Sequence, residues 1–276
     1  MHNFQKEIIS DLEVKPEINV EEEITQRKNF LKAYLKKSGM KGYVLGISGG
    51  QDSTLAGALI QEAINELNEE EADGSYIFCG VRLPYDVQAD EDDASLAVDY
   101  IKPDKVLTVN IQSAVDASME QFEEALGEPL SDFLKGNTKA RERMKVQYDI
   151  AAHYNLLVAG TDHAAEAVTG FYTKYGDGAC DIAPLFGLNK RQGKKIMEKL
   201  GAPEKLVSKV PTADLEDDQP LISDEEALGV TYKEIDQYLE GQDVSEKAKN
   251  IIESKYKQTM HKRQMPVTIY DYWWQK

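Results

Sequence analysis

A segment that could bind phosphate follows the apolar run 43–47. It reads Ser48-Gly49-Gly50-Gln51-Asp52-Ser53 and precedes a helical pattern. Glycine lets backbone N–H groups approach an anion, serine adds hydroxyl donors, and the helix directs its positive end to the same place. Asp52 would repel a phosphate unless a cation lay between them, so the segment predicts a magnesium site. No lysine follows the glycines, which excludes a Walker-type loop; a ligand-free strand–helix turn is the alternative.

Polar residues at two other predicted strand ends could share one crevice with this loop. Arg82 follows the second apolar strand, where an ordinary surface arginine is the alternative, and Thr161 follows the fourth. Glu166 lies on the helix that begins after Thr161 and could lean back over the crevice. Asp52 and Glu166 are therefore predicted to hold Mg²⁺ from two different elements.

A glycine- and aromatic-rich stretch, 169–181, is predicted to be a compact loop that contacts substrate. Within it Lys174 suits a phosphate or carboxylate, and Asp181 suits a ribose hydroxyl or an amine. Lys190 stands at a predicted helix start, where a cation opposes the helix dipole unless an anion is near, so it is predicted to bind phosphate. An acidic, proline-containing segment near Thr212 is predicted to be a mobile lid, with a solvated loop as the alternative.

Four residues with reactive side chains are predicted to be structural. Asp162 is predicted to cap the helix after the fourth strand. His163 is predicted to be a packed or surface histidine, because no second His or Cys has metal-binding spacing. Cys79 lies in an apolar strand and Cys180 in the substrate loop, too far apart in sequence to form a zinc or redox motif.

The chain alternates between helices and short apolar strands. Helices are predicted at 4–14, 21–37, 53–67, 90–100, 111–126 and 131–154, and strands at 43–47, 76–81, 105–109 and 156–160. This alternation predicts an α/β fold with a doubly wound parallel sheet, whose ligands bind at the carboxyl ends of the strands. A single domain is expected, with an N-terminal helical part (1–38), a nucleotide-binding core (41–200), a lid loop (about 205–224) and C-terminal helices (225–276).

The composition of the chain limits the kinds of molecule that the protein could bind. The chain has 276 residues, a formal net charge of −17 and 41% hydrophobic residues. A strongly acidic protein is a poor candidate for binding a nucleic-acid backbone, because both carry negative charge. No apolar run approaches the length of a membrane span, and residues 1–7 lack the pattern of a signal peptide. A cytoplasmic protein without membrane or nucleic-acid partners is expected.

The Ser48-to-Ser53 segment resembles the signature of the ATP pyrophosphatases, which cleave ATP between its α- and β-phosphates. Taken together, several segments spread over nearly the whole chain resemble the ammonia-dependent NAD synthetases. These segments are 48–55, 82–88, 135–144, 160–181, 188–193, 211–215 and 261–264. The resemblance implies an adenine nucleotide alpha hydrolase-like fold, a homodimer, and a ligase that uses ATP, Mg²⁺ and ammonia to convert deamido-NAD to NAD.

The resemblance also assigns residues, with the dinucleotide lying partly across the dimer interface. It places ATP on Gly46, Ile47, Ser48, Gly49, Gly50, Gln51, Asp52, Ser53, Arg82, Thr161, Lys190 and Thr212. It places deamido-NAD on Arg141, Lys174, Asp181, His261 and Lys262, and Mg²⁺ on Asp52 and Glu166. The family usually has glycine where this chain has Asp86, which matters if that position needs a positive φ.

The chemistry implied is adenylation of a carboxylate followed by attack of ammonia. Asp52 and Lys190 are expected to support the phosphate chemistry, and Asp177 or Asp181 to hold ammonium and take its proton. Two alternatives remain open at this point. One is another ATP pyrophosphatase, such as the GMP synthetase domain, which should lack the 174–181 block, and the other is a non-catalytic ATP-binding sensor.

Overall fold

A ligand site can form where the carboxyl ends of two neighbouring strands of the sheet meet. The computed structural model describes residues 3–71, 75–86, 91–176, 178–210 and 224–275. Its strands are β1 Gly42–Gly46, β2 Ile77–Arg82, β3 Lys105–Thr108 and β4 Leu157–Val158. They form a parallel sheet in the order β3-β2-β1-β4. The chain moves outward from β1 to β3 and then returns to the other side of β1, so β1 and β4 flank the switch point where open α/β sheets bind ligands.

The helices cover both faces of this sheet, as the doubly wound prediction requires. They are α1 Asn3–Asp11, α2 Val20–Ser38, α3 Gln51–Glu70, α4 Glu91–Ile101, α5 Gln112–Leu126, α6 Asp132–Tyr154, α7 Ala164–Thr169, α8 Lys190–Lys199, α9 Glu204–Val207, α10 Asp224–Leu228, α11 Tyr232–Leu239, α12 Glu246–Gln258 and α13 Met260–Arg263, followed by a 3₁₀ turn at Trp273–Gln275. Every helix predicted before residue 155 is present, with ends within three residues of the predicted ones.

Strand β1 explains why both sheet faces are covered. Successive side chains of a strand point to opposite faces. Tyr43 and Leu45 pack in a hydrophobic core with α2, α3 and α8, whereas Val44 packs in a second cluster on the other face with residues of α5 and α6. All three are almost fully buried. A strand that is apolar on both sides belongs inside a parallel sheet, as its sequence predicts.

A separate hydrophobic cluster joins the two ends of the chain to α7. It combines Ile8 of α1 with Ile235 of α11, Ile252 of α12 and Val168 of α7. The Gln5 amide, also buried, donates a hydrogen bond of 2.9 Å to the Tyr238 carbonyl. The position of α7 therefore depends on both the first and the last helices.

Several local expectations need correction or qualification. The predicted fourth strand, 156–160, is shorter in the structure, where Ala159 continues β4 only through a bridge to Ile182. Leu206, within the segment expected to be a lid, is completely buried in α9. Most of that lid, including Thr212, lies outside the described residues, as does Asp177.

Asp86 has a φ of +56°, in the left-handed region. This is the conformation that favours glycine at that position, and Asp is one of the few other residues that adopt it readily.

None of the helices in the described ranges combines the length and hydropathy that a bilayer crossing requires.

Candidate active site

A cavity of about 640 Å³ opens at the carboxyl ends of β1 and β4. Its volume is in the range typical of small-molecule sites. Of the predicted site residues, those that line it are Gly46, Ile47, Ser48, Gly50, Gln51, Asp52, Ser53, Thr161, Glu166, Lys190 and Lys262. Predicted residues that are described but do not line it are Gly49, Arg82, Arg141, Lys174, Asp181 and His261. The crevice predicted from the strand ends is therefore present.

The loop after β1 has the geometry of an anion cradle. Helix α3 begins at Gln51, and its N-cap residue, Gly50, provides no side-chain hydrogen bond to the first turn. The Ser48 and Ser53 hydroxyl oxygens lie 3.1 Å apart at the same turn. Gly49 has a φ of +77°, and a Cβ there would lie 2.5 Å from the backbone nitrogen of Ala94. Only glycine fits at that point, and the first turn of a 20-residue helix begins at the wall of the cavity, which Gly50, Gln51 and Asp52 line.

Four ionisable side chains meet beside this loop. The Lys190 ammonium lies 2.6 Å from Asp52 Oδ2 and 3.6 Å from Glu166 Oε1. His163 Nε2 lies 3.3 Å from Asp52 Oδ1 and 3.3 Å from Glu166 Oε1. Asp52 lies in the first turn of α3, Glu166 lies in the first turn of α7, and Lys190 starts α8. Three helix starts thus converge, which brings the predicted carboxylate pair and the predicted phosphate ligand together.

The pKa shifts within this cluster follow from mutual charge rather than burial. Burial alone would raise the pKa of Asp52, but Lys190 and His163 outweigh it and hold that pKa below its ordinary value. Burial would lower the pKa of His163, yet the charges of Glu166 and Asp52 raise it to about 10. In the same way Asp52 and Glu166 raise the pKa of Lys190 against the effect of burial. The cluster therefore keeps two cationic side chains against its carboxylates at neutral pH.

The helix start that carries Lys190 is stabilised by a buried carboxylate. Asp236 of α11 accepts hydrogen bonds from the backbone N–H groups of Lys190 at 3.2 Å and Arg191 at 2.9 Å. Asn189 and Gln192 add a reciprocal capping box. Burial raises the pKa of Asp236 to about 6. The basic residue at this helix start is thus compensated by anions of the protein itself, Asp236 on the backbone and Asp52 on the ammonium.

Two further residues, Asp224 and Tyr232, lie next to this cluster and were not predicted from the sequence. Asp224 lines the cavity, is 6% exposed, and accepts a 2.8 Å hydrogen bond from the Tyr232 hydroxyl. Burial raises the pKa of Asp224. The Lys190 ammonium lies 5.0 Å from the centre of the Tyr232 ring. Neither residue belongs to a motif, and only the fold brings α10 and α11 to this place.

The residues expected to bind deamido-NAD mostly shape the 169–181 loop. Lys262 donates to the carbonyls of Gly170 at 2.8 Å and Tyr172 at 2.7 Å. Asp181 accepts a 2.8 Å hydrogen bond from the Val158 N–H, which leaves its other oxygen for a ligand. Arg141 reaches the Lys174 carbonyl at 3.5 Å.

His261 stands in a cationic neighbourhood at the same loop. Burial, followed by the charges of Lys174 and Lys262, lowers the pKa of His261. A locally positive surface on a chain of net charge −17 suits an anionic ligand. This is the position at which the sequence predicts the dinucleotide.

Two sequence expectations for individual residues need qualification. Asp162 is not the cap of α7: His163 occupies the N-cap position, and no side-chain hydrogen bond caps the helix. Arg82 forms an ion pair with Glu91 of α4 and does not line the cavity. The expectation that His163 is packed is confirmed by its 3% exposure, but its ring faces the carboxylates.

An open parallel sheet, an anion cradle at its switch point and a carboxylate pair beside that cradle define a nucleotide-using enzyme of the ATP pyrophosphatase class. Comparison with known proteins then names the family. The chain belongs to the NAD synthase family, whose model matches residues 23–266.

Relatives with described activities support this assignment over the full length. The NH₃-dependent NAD⁺ synthetase of Halalkalibacterium halodurans is 64% identical over 271 residues, covering 98% of this chain and 100% of the relative. The crystal structure of NAD⁺ synthetase from Burkholderia pseudomallei is 41% identical with a TM-score of 0.81, covering 95% of this chain and 96% of that one. The NMN synthetase of Francisella tularensis is 32% identical with a TM-score of 0.81, covering 92% and 100%.

Proposed function

We propose that this chain is an ammonia-dependent, Mg²⁺-using NAD synthetase whose chemistry takes place where Asp52, Glu166 and Lys190 meet. Membership of the NAD synthase family makes it a ligase that converts deamido-NAD to NAD with ATP. The observation that carries the proposal for the site is the convergence of these three side chains on the cradle of the Ser-Gly-Gly-Gln-Asp-Ser loop.

The reaction needs two steps because a carboxylate is a poor acyl donor. One carboxylate oxygen of deamido-NAD attacks the α-phosphorus of ATP, and pyrophosphate leaves. That oxygen can then depart with AMP when ammonia attacks the acyl carbon, and loss of a proton from nitrogen gives the amide. No covalent enzyme nucleophile is needed.

The residues of the Ser48–Ser53 loop and of the ionisable cluster have different roles in binding the phosphates and stabilising their charge. The Ser48 and Ser53 hydroxyls and the backbone N–H groups of the first turn of α3 hold the phosphates. Lys190, held by Asp236 through its backbone, offsets the negative charge that grows on departing pyrophosphate. The two carboxylates fit a divalent cation, since with His163 they offer donor atoms that all lie within 4.8 Å of one another. When bound, Mg²⁺ supplies further charge stabilisation to the pyrophosphate.

Ammonia as nitrogen donor is supported by the state of both thiols. A glutaminase needs an activated nucleophile, normally a cysteine with a lowered pKa. Burial raises the pKa of Cys79 to about 11, and burial with nearby Asp162 and Asp181 raises the pKa of Cys180 to about 11. Both thiols are therefore unreactive at neutral pH.

A homodimer is proposed on the resemblance and on the exposed surface. Lys262 was expected to bind a nucleotide across a dimer interface, but its ammonium donates hydrogen bonds to two carbonyls of its own chain. Exposed apolar side chains give a different reason. They include Phe122 and Leu126 of α5, Phe133 and Leu134 of α6, and Ile269, Tyr270 and Trp274 near the C-terminus. Phe133 also lines the cavity. Helices α5 and α6 pack against each other, and an apolar patch on such a pair is typical of a protein interface.

Pyrophosphate release from ATP, measured with and without deamido-NAD, tests the function directly. Release that depends on deamido-NAD and ammonia is expected, with equal amounts of NAD and AMP formed. ATP binding without release would instead identify a sensor. Because one structural relative is an NMN synthetase, the mononucleotide acid is included, and its use at a rate above that of deamido-NAD would reassign the substrate.

Variants test the site. Asp52→Asn and Glu166→Gln are expected to lower turnover by about a hundredfold or more, because each removes a carboxylate ligand of the Mg²⁺ that offsets the phosphate charge. Glu69→Gln, an exposed residue on the same helix as Asp52, is the matched control. Near-normal rates in both site variants at ordinary Mg²⁺ would contradict the assignment.

A further inference from the structure

We propose that His163 is a third ligand of the divalent cation, so that one imidazole nitrogen and two carboxylate oxygens face the ion. The inference rests on the proposed function, because that function places Mg²⁺ between Asp52 and Glu166. It goes further in giving the site a nitrogen donor, which changes its preference among metals.

The first observation is a buried imidazole whose Nε2 faces two carboxylates without forming a hydrogen bond to either. His163 is 3% exposed. Within the described part of the chain, neither Nδ1 nor Nε2 makes a hydrogen bond. Buried polar groups normally form hydrogen bonds, so this ring is one that a further partner would complete. In the metal-free protein the protonated ring pairs with the two carboxylates, and a cation placed between them would displace the proton from Nε2 and take over its charge.

The second observation is the spacing of the donor atoms. In octahedral coordination with bonds of about 2.1 Å, neighbouring ligand atoms lie roughly 3 Å apart. His163 Nε2 lies 3.3 Å from Asp52 Oδ1 and 3.3 Å from Glu166 Oε1. The three donors lie within 4.8 Å of one another. They can therefore occupy one face of a single ion, which leaves the opposite face to phosphate oxygens and water.

The backbone fixes two of the donors relative to each other. The His163 carbonyl accepts hydrogen bonds from the N–H groups of Glu166 at 3.1 Å and Ala167 at 2.9 Å. His163 and Glu166 are thus the N-cap and an early residue of the same helix, three positions apart. The Ala164 N–H donates to the Leu188 carbonyl at 2.8 Å and anchors that helix start to the chain leading into α8. Such a pair needs little rearrangement to bind an ion.

Lys190 leaves room for this arrangement at Asp52, and its ammonium lies 3.6 Å from Glu166 Oε1, which is beyond hydrogen-bond distance. Its ammonium binds Asp52 Oδ2, whereas His163 faces Oδ1 of the same carboxylate. Asp52 can therefore keep the lysine on one oxygen and present the other to an ion. The lysine and the ion remain electrostatically coupled through this shared group.

A nitrogen ligand changes metal selectivity. Mg²⁺ prefers oxygen ligands, whereas imidazole strengthens binding of Mn²⁺ and of the metals that follow it in the divalent series. The site should bind Mn²⁺ more tightly than Mg²⁺, and the difference should shrink when His163 is replaced.

Pulsed electron paramagnetic resonance of Mn²⁺ bound to the full chain tests this directly. The bound ion should show modulation from a histidine ¹⁴N nucleus, and growth with ¹⁵N-histidine should replace it with the ¹⁵N pattern. Isotope labelling leaves the protein unchanged, so this result does not depend on the folding of a variant. His163→Gln should abolish the modulation and weaken Mn²⁺ binding by about tenfold or more, while weakening Mg²⁺ binding less. His153→Gln, an exposed histidine on α6, should change neither property.

Several outcomes would overturn the proposal. Bound Mn²⁺ that supports NAD synthesis without nitrogen modulation would remove His163 from the coordination sphere and leave the proposed function intact. Modulation that persists in His163→Gln would assign the nitrogen to another residue. Failure of Mn²⁺ and Mg²⁺ to bind, with NAD synthesis unaffected by chelation, would refute both the triad and the metal-dependent part of the proposed function.

Discussion

Replacing Lys190 with Met should destabilise the metal-free protein and, at the same time, increase the stabilisation that a divalent cation provides. The lysine is 9% exposed and holds Asp52 at 2.6 Å and Glu166 at 3.6 Å. Methionine keeps a similar apolar stem beside Tyr232 but removes the charge. The two carboxylates then face one another with only His163 as a cationic partner.

The size of the effect follows from the burial of the pair. Removing one partner of a fully buried ion pair typically costs about 3–5 kcal/mol, because the other charge is left uncompensated. The Asp52 side chain is 25% exposed and keeps His163 at 3.3 Å, so we expect a cost at the lower end, about 3 kcal/mol. This is a large part of the roughly 5–15 kcal/mol that stabilises a typical protein, so the variant should fold with a much lower unfolding midpoint. A bound cation takes over the missing charge. An affinity at least about tenfold higher in the variant would add about 1.4 kcal/mol to the stabilisation by the ion.

Urea unfolding followed by circular dichroism measures both effects. Wild type and Lys190→Met are compared in a chelator and in excess Mg²⁺. Lys195→Met, an exposed lysine on the same helix, controls for the loss of a surface charge and should stay within about 0.5 kcal/mol of wild type. Turnover of Lys190→Met should fall even where Mg²⁺ restores its stability, because the lysine also faces the phosphates.

Either of two results would refute this reasoning. A metal-free variant within about 1 kcal/mol of wild type would show that the buried pair contributes little net stability. An equal gain from Mg²⁺ in both proteins would show that the lysine and the ion do not share Asp52. In the second case the cation site lies elsewhere.

Three further predictions concern pH, assembly and the nitrogen donor. The pKa of Asp236 is raised from 3.8 to about 6, so its contribution to stability is full below about pH 4 and lost as pH rises through 6. The unfolding free energy of wild type relative to Asp236→Asn should fall by roughly 2.5 kcal/mol from pH 4 to 7, and a constant difference would contradict the shift. Sedimentation should give a dimer of the 31.0 kDa chain, and a fully active monomer would exclude the proposed assembly. Replacing both Cys79 and Cys180 with Ser should leave ammonia-supported NAD synthesis near the wild-type rate, with glutamine inactive in either protein; glutamine-supported synthesis that disappears in the double variant would identify a glutaminase.

The parallel sheet and the loop of the site were predictable because their determinants are local. Apolar runs define the strands, and helical spacing defines α2 to α6. The backbone has a positive φ at residue 49, and glycine, the residue type that favours this conformation, is visible in the sequence. The meeting of Asp52 with Glu166 was also predictable, since carboxyl ends of neighbouring parallel strands share one edge.

The approach of His163 to Asp52 was not predictable from spacing. Only Glu166 is near it in sequence, and Asp52 reaches it through the fold. Lys190 shows a similar limit: its place at a helix start indicated an anion, but sequence cannot distinguish a phosphate from the carboxylate of Asp236. Lys262 has the charge expected of a substrate contact, yet two carbonyls of its own chain use it.

The cluster that joins α1 to α11 and α12 has a consequence for synthesis on the ribosome. Ile8 emerges early, but its partners Ile235 and Ile252 are made more than two hundred residues later. The nascent chain can complete the sheet and the Ser48–Ser53 loop long before it can seat α7, which carries Glu166. An unfinished polypeptide thus acquires the nucleotide cradle without the opposing carboxylate, and catalysis begins only when the last helices are in place.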